Sequence, residues 1–190
     1  MKHLSTRYAV LAGAISLALV LAGCASPASR VAMTPQTASV GKQHPHSIHV
    51  EASGGAETGA MDSSNISDAD LKASIEDAII QSKLFKSIVQ GSGGDYELSV
   101  RVISLSKPLF GGSFTVEMET AWSLTKAVDP KAADPKAANH SVVLRNSVKS
   151  SGTATMGDSL VGVTRLRLAV ERAARENISQ GMKAIAELNL

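Results

Sequence analysis

Three stretches in the middle of the chain constrain its fold more than any other feature. In the first, Tyr96, Leu98, Val100 and Val102 alternate with Glu97, Ser99 and Arg101. In the second, Phe114, Val116, Met118, Trp122 and Leu124 alternate with Thr115, Glu117, Glu119 and Ser123. In the third, Val142, Leu144 and Val148 alternate with Val143, Arg145, Ser147 and Lys149. Successive side chains of a strand point to opposite faces, so each stretch reads as a strand with one apolar and one polar face. A sheet built from such strands leaves one side to water and needs a cover on the other.

Two amphipathic segments are available as that cover. Ser67-Asp68-Ala69-Asp70 places an acid three residues after a serine, a capping-box-like start, and Leu71, Ile75, Ala78, Ile79, Phe85 and Ile88 follow at helical spacing. The spacing predicts a helix over 68–89, stopped by Gly91-Ser92-Gly93-Gly94. A second helix is predicted over 158–188, with Leu160, Val163, Val170, Ala174, Ile178, Ile185 and Leu188 as its buried stripe. At 1.5 Å per residue it reaches roughly 45 Å, against about 30 Å for a nine-residue strand. It therefore overhangs the sheet or breaks, with Gly162 and Gly181 as the weak points. Ile48 and Val50, alternating with His49 and Glu51, predict a short first strand. The expected order is β-α-β-β-β-α, an α+β two-layer sandwich with a four-stranded sheet and two helices on one face. Its open face carries Glu97, Arg101, Glu117, Glu119, Arg145 and Lys149.

Connections follow from the turn residues. Lys107-Pro108-Leu109-Phe110-Gly111-Gly112 joins the first two alternating stretches as a hairpin. A longer loop over 127–139 joins the next two and repeats Asp-Pro-Lys-Ala-Ala at 129–133 and 134–138. Two copies are too few for a solenoid, and a hairpin tip tolerates such an insertion.

The N-terminus carries an address. Lys2 and Arg7 precede an apolar run of 14 residues, Tyr8 to Leu21, and Ala22-Gly23-Cys24 follows. A helix spans a bilayer with roughly 20 residues, so the run is short for a permanent span and reads as a signal peptide with its cleavage site. Leu21-Ala22-Gly23-Cys24 resembles the lipobox of bacterial lipoproteins, and Cys24 is the single cysteine of the chain. The resemblance implies cleavage before Cys24 and acylation of its sulfur and new amine. Each buried methylene contributes about 0.8 kcal/mol, so several chains anchor stably. Ala25 and Ser26 follow; with no Asp at the second position, the sorting rule of such lipoproteins implies the outer membrane facing the periplasm, the inner membrane being the alternative. The expected division is a signal peptide over 1–23, Cys24 with a flexible tether rich in Ser, Thr, Pro and Ala over 24–46, and one domain over 47–190.

Composition narrows the function classes. Cleavage removes Lys2 and Arg7 and no acid, so 19 basic residues become 17 against 17 acidic ones. A neutral chain with few aromatics is a poor nucleic-acid binder. With Cys24 acylated no disulfide can form.

Lipobox, tether and β-α-β-β-β-α order together resemble small bacterial envelope lipoproteins. In layout the chain is similar to the lipopolysaccharide-assembly lipoprotein LptE, the YajG-type lipoproteins and the auxiliary lipoproteins of ABC transporters. That resemblance implies a non-enzymatic accessory or assembly partner of an envelope complex, with the membrane and an envelope protein as its partners.

Candidate chemistry is sparse. Gly157-Asp158-Ser159-Leu160 spells the block of the GDSL hydrolases, but no histidine follows it and a serine without a base is a poor nucleophile. The alternative is an Asp or Ser N-cap for the last helix. His44, His46 and His49 lie close together, but a ligand site needs a rigid frame, and surface histidines are the expectation. No metal site and no cofactor is expected, and an enzyme is the least favoured class. Leu109 and Phe110 are the candidate contact pair: two large apolar residues at a hairpin tip either fold under a helix or stand exposed for a partner or membrane. A lipid or glycolipid carrier is the competing function, and it requires an internal apolar cavity.

Overall fold

The computed structural model describes residues 25–36, 42–59, 64–91, 93–127 and 141–190. Cys24 and the tandem repeat at 129–138 lie outside them. The elements in order are α1 (Arg30–Met33), β1 (His44–Ser53), α2 (Asp68–Ser82), β2 (Phe85–Ile88), β3 (Tyr96–Ser106), β4 (Phe114–Lys126), β5 (Ser141–Ala154) and α3 (Gly162–Ala186).

The sheet corrects the four-stranded expectation. It has five strands in the order β2-β1-β3-β4-β5. β1 runs parallel to both β2 and β3, and β3, β4 and β5 form antiparallel pairs. The added strand is β2, which occupies residues assigned above to the first helix. That helix stops at Ser82 because Lys83 adopts a left-handed conformation (φ 54°) and the Lys83 and Leu84 amides close back on Ile80 and Ile79. Leu84 is buried behind this turn, and Phe85 enters the sheet edge beside His44. The other end of α2 is capped as expected: the Ser67 hydroxyl accepts from the Asp70 amide at 3.0 Å and donates to its carboxylate at 2.7 Å.

The three alternating stretches form strands with one dry face. Tyr96, Leu98 and Val100 of β3, Phe114 to Leu124 at every second position of β4, and Val148 to Ala154 at every second position of β5 are buried. α2 packs on β1 and β2, and α3 on β4 and β5. On the open face, Glu119 stands opposite Lys149 in register, 3.7 Å from its ammonium, and accepts from Ser147.

α3 does not break at Gly181. A Cβ there would stand 2.4 Å from the Trp122 ring, so this glycine is where helix and indole meet. Gly152 serves the same end on β5, where a Cβ would lie 2.3 Å from both Ala169 O and Ala173 N. Between these two contacts sits Asn177. It donates to Val148 O (3.0 Å) and Ser150 Oγ (3.2 Å) and accepts from Thr120 Oγ1 (2.6 Å) and Trp122 Nε1 (3.2 Å). Every hydrogen-bonding atom of this buried amide has a partner, so the amide fixes how far α3 slides along the sheet without leaving an orphan.

Residues 25–36, read above as tether, pack against the domain. Ala28 and Met33 are buried. The Ser29 amide donates to Glu171 Oε1 at 3.0 Å, Arg30 pairs with Asp77, and Arg175 donates to Ala32 O at 2.7 Å. α1 thus lies over α2 and α3.

Candidate functional site

One end of the sandwich gathers the C-terminal ends of β3 and β5, the start of β4 and the start of α3. Two loops meet there. The β3–β4 turn carries Pro108, Leu109 and Phe110 and closes through Gly111, whose φ of 146° suits glycine. The β5–α3 connection runs from Thr155 to Val161. The loops touch: a Cβ on Gly112 would lie 3.1 Å from the Met156 methyl.

Arg165, in the first turns of α3, braces both loops. Its guanidinium donates to Ser159 O (2.8 Å), Leu160 O (3.0 Å) and Gly111 O (3.5 Å) and lies 5.3 Å from the centre of the Phe114 ring. Asp158 fixes the far side of the second loop. Its carboxylate accepts from the Thr155 amide at 2.8 Å and pairs with Arg172, and these bonds, the Arg172 pair first, hold it well below the usual carboxylate range. With both backbones held, the apolar side chains project outward. Leu109, Phe110 and Leu160 are 85%, 88% and 86% exposed, and Met156, Val161 and Val163 are exposed beside them.

The structure therefore exposes the Leu109–Phe110 pair and adds four residues that periodicity had misplaced or missed. Leu160 and Val163 were assigned to the buried stripe of the last helix, whereas that helix begins at Gly162 with Val161 at its N-cap and no side-chain cap. Asp158 and Ser159 are not caps. Asp158 closes the preceding turn, and Ser159 Oγ accepts from the Val161 amide at 3.1 Å. Arg165 takes the inward position at the helix start, which no apolar pattern could reveal.

The three histidines go to three environments, and two are buried, against the surface expectation. His44 bonds Ile185 O at 3.1 Å and packs on Phe85, and burial pushes its pKa down. His46 meets the Tyr96 ring edge-on at 5.2 Å. His49 contacts Val89 O and Glu51. A bulge between His44 and Ser47 splits the cluster. Among the described residues no group of three or more His, Cys, Asp or Glu could hold a metal ion.

An open groove of about 1080 Å³ lies beside β5 and α3, lined by Glu117, Glu119, Lys149, Arg172, Arg175 and Glu176 among others. Its walls are charged and hydrogen-bonding, unlike the enclosed apolar cavity that a lipid carrier needs.

No family model matches the chain, and no curated protein matches it. Solved structures do. A Xanthomonas campestris protein of family DUF330 is 14% identical, with a TM-score of 0.55 over 80% of this chain and 88% of that one. A Caulobacter crescentus CB15 protein named "putative lipoprotein" is 20% identical, with a TM-score of 0.46 over 73% and 87%. Among the described residues no helix is long and apolar enough to cross a membrane. The likeness to the Xanthomonas structure is one of fold, and in that fold this chain places its braced apolar rim.

Proposed function

We propose that the chain is a bacterial lipoprotein, anchored through acyl groups on Cys24 and facing the periplasm from the outer membrane, that acts by contact as an accessory or assembly partner of an envelope complex. The observation that carries this reading is the rim. Its loops are pinned by Arg165 and Asp158, yet Leu109, Phe110 and Leu160 are left almost wholly in water. A large apolar group held rigidly outward is the mark of a contact surface. The lipobox at Leu21–Cys24 supplies the anchor. The open sheet face, with its mixed charges, is the second surface, and it is where a protein partner docks. In finer detail, the role proposed is an assembly or transport-accessory one of the kind the LptE, YajG and ABC-auxiliary lipoproteins represent.

The test has two parts. Cells fed labelled palmitate should yield a labelled, membrane-bound protein, and Cys24→Ser should remove both the label and membrane recovery. A photo-crosslinker at Arg145 on the open face should then give one discrete adduct in membranes, lost when the neighbouring Glu97 is reversed to Lys. An unlabelled wild-type chain overturns the anchor, and a protein recovered only as a free monomer overturns the accessory role.

A further inference from the structure

The rim and Ala28, near the start of the first described segment, lie at the same end of the molecule. The Ala28 amide donates to Asn65 O at 3.0 Å, and Lys107, two residues before Leu109, donates to Ser64 O at 3.2 Å and to the Asn65 side chain. The chain also travels in a defined direction. Ser29 is held at Glu171 and Ala32 at Arg175, so α1 follows α3 from its start toward its end. Traced backward, the chain heads for Gly162 and the rim. Glu171 lies nine residues into α3, about 14 Å from its start. Cys24 precedes Ser29 by five residues, which reach at most about 17 Å. The lipid-bearing residue can therefore sit level with Leu160.

We infer that this end faces the bilayer holding the chain, with Leu109, Phe110, Met156, Leu160 and Val161 in the interfacial layer among the lipids. This rests on the lipoprotein reading. The shape of the site agrees with it: the apolar residues stand on two abutting loops as a projecting rim, which suits a deformable lipid surface. The one carboxylate of the 155–161 loop, Asp158, is already paired with Arg172, so the loop presents no free acid to the lipids. The polar atoms that would resist entry are tied inward: Arg165 points its guanidinium at Ser159 O, Leu160 O and Gly111 O, and Ser159 bonds the Val161 amide. The acyl anchor alone keeps the protein on the membrane, so the rim sets the domain's orientation and depth, leaving partitioning unchanged.

The experiment exploits the single cysteine. In the acylated full chain Cys24 carries no free thiol, so Phe110→Cys introduces the one labelling site. Ile80→Cys is the control, since Ile80 is exposed but lies near the end of α2, at the opposite end of the sandwich. Each variant is labelled with a polarity-sensitive fluorophore and reconstituted into vesicles of phosphatidylethanolamine and phosphatidylglycerol, with and without nitroxide-labelled lipid. The probe at 110 should shift to the blue and lose most of its emission to the nitroxides, while the probe at 80 should do neither. If both probes stay in water on acylated protein, the inference is wrong. It is equally wrong if the probe at 110 is shifted before lipid is added, because the rim is then covered by protein or a second copy. A wild-type chain whose Cys24 still reacts with thiol reagents removes the lipoprotein reading itself, and the membrane-facing rim falls with it.

Discussion

Trp122 and Phe110 are both large aromatic side chains on the β3–β4–β5 meander, and they have opposite fates. Trp122 is 1% exposed, seated on the bare backbone of Gly181, with its indole N–H donated into the Thr120–Asn177 pair. Phe110 is 88% exposed on a turn whose backbone is tied to Arg165 through Gly111. Around Trp122 every group is fitted to its neighbour, and the arrangement has one solution. At the rim the fit stops at the backbone, and among the described residues Leu109, Phe110 and Leu160 stay almost wholly exposed. Exposed apolar surface here is thus no symptom of loose packing. The backbone beneath it is tied to Arg165 through Ser159 O, Leu160 O and Gly111 O.

The comparison can be broken from the core side first. Trp122→Ala should cost about 3–5 kcal/mol, combining lost burial with the cavity left behind, read as a fall in the urea midpoint. Gly181→Ala should cost about 1–3 kcal/mol by pushing the indole off the helix, and near-ultraviolet dichroism of the single tryptophan should change with it. His44 sharpens the contrast through pH. Burial lowers its folded-state pKa below its unfolded value, so the neutral ring contributes stability that is whole above about pH 6.5 and is lost as pH falls through the depressed value. His44→Gln should flatten that part of the stability profile between pH 8 and 5, as followed by urea unfolding at each pH. The smallest effect is expected at the rim itself, where Phe110→Ser should change stability by less than about 0.5 kcal/mol. A large loss there would mean that the side chain is part of the fold after all.

Much of this was legible in the residues. Strict alternation gave β3, β4 and β5, the dry face of β3 and β4 and the hairpin with Leu109 and Phe110 at its tip; of the apolar set expected on β5 only Val148 is buried, and Val142 is exposed where the strand begins. β2 was not legible, because Phe85 and Ile88 fall on the same helical period as Leu71 and Ile79. The break between them is Lys83, a residue with no intrinsic liking for the left-handed region it occupies. The order in residues 25–36 was hidden for a different reason. Their composition is that of a linker, and the groups that hold them, Asp77, Glu171 and Arg175, come from helices far along the chain. The second half of the rim was obscured by a charged residue behaving as a core residue. Arg165 turns inward, and the apolar Leu160 and Val163 that a period of 3.6 would bury are turned out.

The docking of Ser29–Met33 has a further consequence for reach. A loose connector of some twenty residues would let the domain wander about 25 Å from its mooring. If Cys24 is the mooring, with Ala28–Met33 held against the domain only three residues separate it from the first fixed point, and the radius shrinks to roughly 10 Å. The domain then behaves less like a buoy on a line than like a post set in the ground. On the lipoprotein reading proposed above, whatever it meets must come to it at the height of the membrane.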